Sequence, residues 1–392
     1  MQKVYSIVFL FLFYKIIFFS RILDFKFSMG LIFISLFFLG WRVNKNSLVY
    51  LFSQVCSICL SLIPLLVNQS KDIVMSKSLV GAFLYSAAIC LLIEHKNIAI
   101  GKKEAIRIVF WGAFLQIIIG VYSFIFMEVR SKIFALEFIS ERAMSKTELM
   151  RLIGLGAVKY AGAGIYFGVV ALIAMGVLIQ KGRPFMAWAT SLFFILAGSF
   201  FSRTTLVSVP LLFVIFILSN KNKITATIKA IDFLIVLILF ALVLHNIFKE
   251  EPLYQWGLEP VYNLIEHQEL RSNSTDGLKT MYSFPDKTRT YIFGDGKFVS
   301  RDVTGRDSGY YMHTDVGYLR LLYYGGVPMI IVYFIPCMVA TVLYMKSRPQ
   351  KTEKYVFLSL IAFILVVNLK GLASANFVTD IFLFSSFKRN NP

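Results

Sequence analysis

Apolar stretches of roughly 16 to 22 residues recur from one end of this 392-residue chain to the other. At about 1.5 Å rise per residue each is long enough to cross a bilayer as a helix. They lie near 4–20, 27–41, 48–67, 78–93, 106–127, 157–180, 185–201, 204–219, 231–248, 327–345 and 355–369, with a short last one at 375–387. The first has no small-residue cleavage site and a second follows closely, so it reads as a membrane helix rather than a secretion signal. With 57% hydrophobic and only 16% charged residues, the chain needs lipid as most of its solvent. The expected fold is an all-α polytopic membrane protein of about twelve transmembrane helices. Eleven would follow if the short last segment does not cross.

A net charge of +18 raises the question of nucleic acid, but its distribution has a simpler cause. Arg42/Lys45, Lys96/Lys102/Lys103/Arg107, Lys181/Arg183, Lys221/Lys223/Lys229 and Lys346/Arg348/Lys351/Lys354 fall in alternate loops, with Lys3 and Lys388/Arg389 on the same side if there are twelve spans. That is the positive-inside pattern, with both termini cytoplasmic and no nucleic-acid partner. The cysteines Cys56, Cys59, Cys90 and Cys337 all fall inside predicted spans, so a disulfide framework is not expected.

The alternation divides the chain into a bundle of nine spans over 1–248, a large outer loop over 249–315, and an interfacial helix with the remaining spans over 316–392. A second outer segment, about 128–156, is amphipathic enough to lie along the membrane surface. In the large loop, "GLEPVYNLIEHQEL" and "NSTDGLKTMYSF" read as helices, the second capped by Ser274 or Asn273, and "FGDGKF" reads as a tight turn. One large outer loop between the ninth and tenth spans implies chemistry at the outer face.

"GSFFSRTTLVSVP" joins two spans whose far ends are both basic. Only about 35 residues lie between Arg183 and Lys221, roughly 50 Å of helix, barely enough to cross and return. Arg203 is therefore set at the outer tip of a hairpin among Ser202, Thr204 and Thr205, where it snorkels or binds an anion. Arg151 in "MRLIGLG" and Lys370 in "NLKGLASAN" sit at the same outer level, as interfacial anchors or as further cations of one site.

In "YYMHTDVGYLRLLYYGGVP", residues 310–328, a helix capped by Thr314 and beginning at Asp315 would place Gly317, Arg320 and Tyr324 along one face with His313 just ahead. Gly325-Gly326 should end this short helix, and Pro328 should open the true span. A tyrosine belt alone would need no His, Asp and Arg within eight residues. Cations near one histidine suit a doubly charged anion plus a proton acceptor, as in a lipid-linked pyrophosphate sugar attacked by a hydroxyl. No metal is required for such a site, and no Walker, Rossmann or zinc signature appears.

"RSNSTDGLKTMYSFP", "YIFGDGKF" and "HTDVGYLRLLYYGGVP", in that order, resemble the external-loop region of bacterial O-antigen polymerases, the Wzy family, and "FSRTTLV" and "RLIGLG" are similar to that family's pattern. The resemblance covers about the last two-thirds of the chain. It implies a metal-independent GT-C glycosyltransferase of the bacterial inner membrane with its active site facing the periplasm. Such an enzyme moves a growing glycan from undecaprenyl diphosphate onto a sugar hydroxyl of a new undecaprenyl-diphosphate-linked repeat. By position, His313 would be the base with Asp315 as helper, and Arg203 would be catalytic. Arg151, Arg203, Arg320 and Lys370 would contact the diphosphate or glycan, with Arg271 in the covering loop and Tyr318 in the same motif. The family also implies a chain-length-determining co-polymerase, for which no residue here shows a docking surface. An O-antigen ligase remains as an alternative. So does a lipid-linked oligosaccharide flippase, although mid-span charge is scarce and a 65-residue loop on one side suits alternating access poorly.

Overall fold

A computed structural model describes residues 10, 44–94, 101–136, 151–156, 158, 160–301, 307–374 and 376–387. The first two predicted spans lie outside these residues, apart from Leu10. The other ten all appear as helices. α1 (Lys45–Ser61) is extended by the short α2 (Ile63–Val67) and followed by α3 (Val74–Glu94), α4 (Lys102–Ile125) and α5 (Met127–Leu136). α6 (Tyr160–Gln180) and α7 (Pro184–Phe201) lead through a 3₁₀ turn, Arg203–Ser208, into α8 (Val209–Ser219) and α9 (Lys223–Phe248). Prolines stand in the first turns of α7 and α8, where the missing N–H costs nothing. Among the described residues seven helices are long and apolar enough to cross a membrane. The protein is an all-α membrane protein in its main body.

α6 is the axis of the bundle, buried almost continuously from Ala163 to Gly176. α9 is its opposite: only Ala226, Ala230 and His245 are buried, and its exposed face is Ile, Leu, Val and Phe, as a lipid-facing helix requires. α1 is inverted relative to a soluble helix. Its buried residues are Ser47, Tyr50, Ser53, Gln54, Ser57 and Ser61, while Leu48, Phe52 and Leu60 face outward. This polar seam bonds to its neighbours: Tyr50 donates to Asp380 at 2.8 Å, Ser57 to the Val332 carbonyl at 2.9 Å, and Ser61 lies 2.8 Å from Ser76. Asp380, in the short last helix, is fully buried, a carboxylate that the predicted scarcity of mid-span charge overlooked.

Lys102, Lys103, Arg107 and Lys181 meet around one cavity of about 730 Å³, so basic clusters from separate loops gather at one end of the bundle. Lys102 is held there by Glu353 at 2.7 Å. All four cysteines are free.

The segment after α9 is built of short pieces: α10 (Pro252–Gly257), α11 (Glu259–His267), α12 (Asn273–Thr280), α13 (Thr288–Phe293) and an antiparallel ribbon of β1 (Val299–Arg301) and β2 (Asp307–Tyr310). The ribbon was not expected from sequence. Ser272 caps α12, accepting from the Thr275 N–H at 3.2 Å, one or two residues ahead of the predicted cap. α14 (Gly317–Lys346), α15 (Lys351–Val367) and α16 (Asn376–Phe387) complete the chain. α14 starts two residues later than expected. Thr314 does not cap it but accepts from the Val316 N–H at 3.3 Å in the preceding turn.

α14 breaks at Gly325 and Gly326, as the Gly-Gly-x-Pro spacing predicts. The carbonyls of Tyr323 and Tyr324 that the break sets free accept from the N–H groups of Asp295 (2.6 Å) and Gly296 (3.0 Å). The FGDG turn thus closes a helix terminus it is remote from in sequence. The approach depends on glycine. Gly294 and Gly326 both have positive φ (65° and 72°), and a Cβ on either would lie about 2.5 Å from the other segment's backbone.

Candidate functional site

Four loops meet above α6. The stretch Arg151–Leu155 is irregular backbone, and polar side chains of α4 hold it. The Leu155 N–H donates to Gln116 Oε1 at 2.7 Å, and Ser123 donates to the Ile153 carbonyl at 3.2 Å. Irregular backbone inside an apolar bundle survives only with such partners. The Leu152 N–H donates to the Phe200 carbonyl at 2.9 Å, tying this stretch to the α7–α8 hairpin. That hairpin tip, Ser202–Thr205, sits tightly on α6, where a Cβ at Gly164 would come within 2.7 Å of Thr204. At the end of α15, fully buried Asn368 bonds the carbonyls of Ile364 (2.8 Å) and Ala373 (2.9 Å) and accepts from the Ala373 N–H (3.1 Å), shaping the turn that carries Lys370.

The result is a cavity of about 360 Å³ that brings together Arg151, Arg203, Arg320, Lys370 and Asp315, along with Thr204, Tyr160, Trp256, Ser274 and Tyr310. Aromatic faces space the guanidinium groups. Trp256 lies between Arg151 and Arg203, its ring centre 5.1 and 5.3 Å from their Cζ atoms. Arg320 stacks on Tyr310 at 3.7 Å and Phe298 at 4.1 Å. Arg203 also pairs with Glu259, and Arg320 lies 3.9 Å from Asp315. Among the described residues, Glu259 and Asp315 are the carboxylates set against these four cations. Thr204 Oγ1, Trp256 Nε1 and Arg320 Nε are buried donors with no hydrogen-bond partner among the described residues. Such groups are costly unless something fills them.

Burial lowers Lys370 to about 8, helped by Arg203 and Arg151 and opposed by Asp315. Burial raises Asp315 above the usual carboxylate range, partly offset by Arg320 and Lys370. An amine and a carboxylate with pKa values shifted toward neutrality in one cavity can hold an anion and exchange a proton.

The remaining predicted site residues lie elsewhere. His313 is exposed and does not line this cavity; helix α14 starts too late to carry Arg320 toward it. Arg271 is a surface residue paired with Glu269 at 3.0 Å. Tyr318 donates to the Leu365 carbonyl at 2.9 Å and packs on Phe334, so it joins α14 to α15. Trp256, Glu259 and Asn368 were not foreseen. Trp256, one of four tryptophans in the chain and set just beyond a span, carried the only available signal. The fold and site define a membrane protein with a cation-lined cavity. No protein-family profile, curated protein or solved structure matches the chain.

Proposed function

We propose that this protein is a membrane glycosyltransferase of the O-antigen polymerase type, acting at the periplasmic face of a bacterial inner membrane on undecaprenyl-diphosphate-linked glycans. The carrying observation is the gathering of Arg151, Arg203, Arg320 and Lys370 around one cavity with Asp315. A diphosphate esterified at both ends bears two negative charges, which suits a cavity lined by clustered cations. The cations hold and neutralise the departing diphosphate in surroundings where charge interactions are strong. Asp315, the carboxylate lining the cavity, takes the role of base that the sequence pattern assigned to His313. An acceptor hydroxyl attacks the anomeric carbon and its oxygen forms the new glycosidic bond. The bond from that carbon to the diphosphate oxygen breaks, and the hydroxyl proton passes to Asp315. Undecaprenyl diphosphate leaves with the bonding electrons.

The test is elongation of a purified lipid-linked repeat by the full-length protein in proteoliposomes. Arg203→Ala and Arg320→Ala should each lower the rate by about 10²-fold or more while the protein accumulates normally. Wild-type ladders from both variants would remove the arginines from the mechanism. Deletion of the gene should leave surface polysaccharide with a single repeat. Loss of every repeat would point to a ligase instead.

A further inference from the structure

A second, larger depression of about 720 Å³ lies beside the cationic cavity, and one short segment supplies residues to both. Tyr310, Asp315 and Arg320 line the first; Tyr311, Met312 and Tyr323 line the second. Successive residues are about 3.8 Å apart between Cα atoms, so the two depressions are separated by little more than one thickness of chain. That partition is strained. Met312 and His313 both adopt left-handed conformations (φ 55° and 53°), which cost non-glycine residues free energy and persist only where surroundings enforce them.

The second depression is built rather than incidental. Tyr323 donates to the Ser283 carbonyl at 2.9 Å, fixing its lip to α14. Thr290, itself buried, donates to Asp295 Oδ1 at 2.8 Å, and the Tyr311 hydroxyl lies 3.3 Å from Oδ2 of the same carboxylate. Lys297 sits over the Tyr311 ring at 5.6 Å. Asp286, Lys287 and Arg289 complete a lining that mixes donors, acceptors and aromatic edges. A lipid tail would find too little apolar surface here. A sugar ring, with hydroxyls that both donate and accept and C–H faces that lie on aromatic rings, meets all three kinds of group.

We infer that the cleft between the 283–297 segment and Tyr311–Tyr323 is the binding site for the oligosaccharide part of the substrate. The strained 310–315 segment then forms the wall across which glycan and diphosphate face each other. This rests on the glycosyltransferase reading. The full-length protein in nanodiscs is titrated separately with inorganic pyrophosphate and with oligosaccharide fragments released by mild acid from the source cell's surface polysaccharide. The double variant Asp286→Ala/Arg289→Ala, both on the open lip, should bind the fragments about tenfold or more weaker, as loss of a charge-assisted hydrogen bond predicts, with pyrophosphate binding unchanged. Arg203→Ala should give the reverse. Fragment binding equal to wild type in the double variant overturns the cleft assignment. Wild-type protein that binds pyrophosphate but no fragment overturns it while leaving the functional reading intact, and wild-type protein that binds neither overturns both.

Discussion

Lys370 carries its charge in a place where burial opposes it, and the consequence is a pH dependence with a definite sign. Its amine is pushed down to about 8, so it is protonated below that pH and neutral above it. Anion affinity contributed by Lys370 should be full at pH 7 and fall as pH rises through about 8. Unliganded stability moves oppositely: a lysine depressed on folding destabilises the folded state at low pH, and that cost is relieved between about 8 and the unfolded value near 10.4. Pyrophosphate titration from pH 6.5 to 9.5 checks this, with Lys370→Arg as control. The variant should lose the step near pH 8 that wild type shows, because guanidinium stays charged throughout. Glu259 supplies the second residue-scale prediction. It pairs with Arg203 and accepts from the Asn273 N–H at 3.0 Å, so it is both counter-ion and anchor of α12. Glu259→Gln keeps an acceptor for the anchor and removes the competing charge. Pyrophosphate should therefore bind about three- to tenfold tighter, corresponding to the roughly 1 kcal/mol worth of a partly exposed pair.

Among the elements, the broken helix α14 and the FGDG turn behave as one device. Each offers what the other lacks: free carbonyls at Tyr323 and Tyr324, free N–H groups at Asp295 and Gly296. Gly326→Ala would force a Cβ to within about 2.5 Å of the Tyr291 carbonyl oxygen, at a backbone conformation L residues avoid. The expected loss is about 1–3 kcal/mol, read as a lower thermal midpoint in detergent. Because Arg320 and Tyr323 ride on the same short helix, turnover should fall beyond what the lost stability explains. The double glycine before proline announced the break in sequence. Its partner was not legible, since nothing in residues 292–297 specifies which helix end a turn of that shape will meet.

Across the whole molecule, helix association depends on polar contacts as much as on packing, because lipid gives apolar side chains little reason to prefer one another. The α1 seam tests this in two directions. Gln54 is buried with both amide atoms lacking a partner among the described residues, so Gln54→Leu should raise the thermal midpoint. Tyr50→Phe removes a donor from buried Asp380 and should lower it, by roughly 1–3 kcal/mol in stability. A lower midpoint for Gln54→Leu would overturn the reading of Gln54 as an unsatisfied amide.

The apolar runs by themselves determined the helices, since in a bilayer the length and unbroken hydrophobicity of a segment decide its secondary structure without reference to neighbours. The spacing around Arg203 determined its place at a hairpin tip for the same reason, a limit on chain reach. Which cations share a cavity was a different matter. Arg151, Arg203, Arg320 and Lys370 come from four separated segments, and only packing through Gly164, Gln116 and Asn368 brings them together. Packing also set Asp315, and not His313, in the lining of that cavity, both of them in the turn that precedes α14. That placement depends on contacts with chain far away in sequence, which no local pattern encodes.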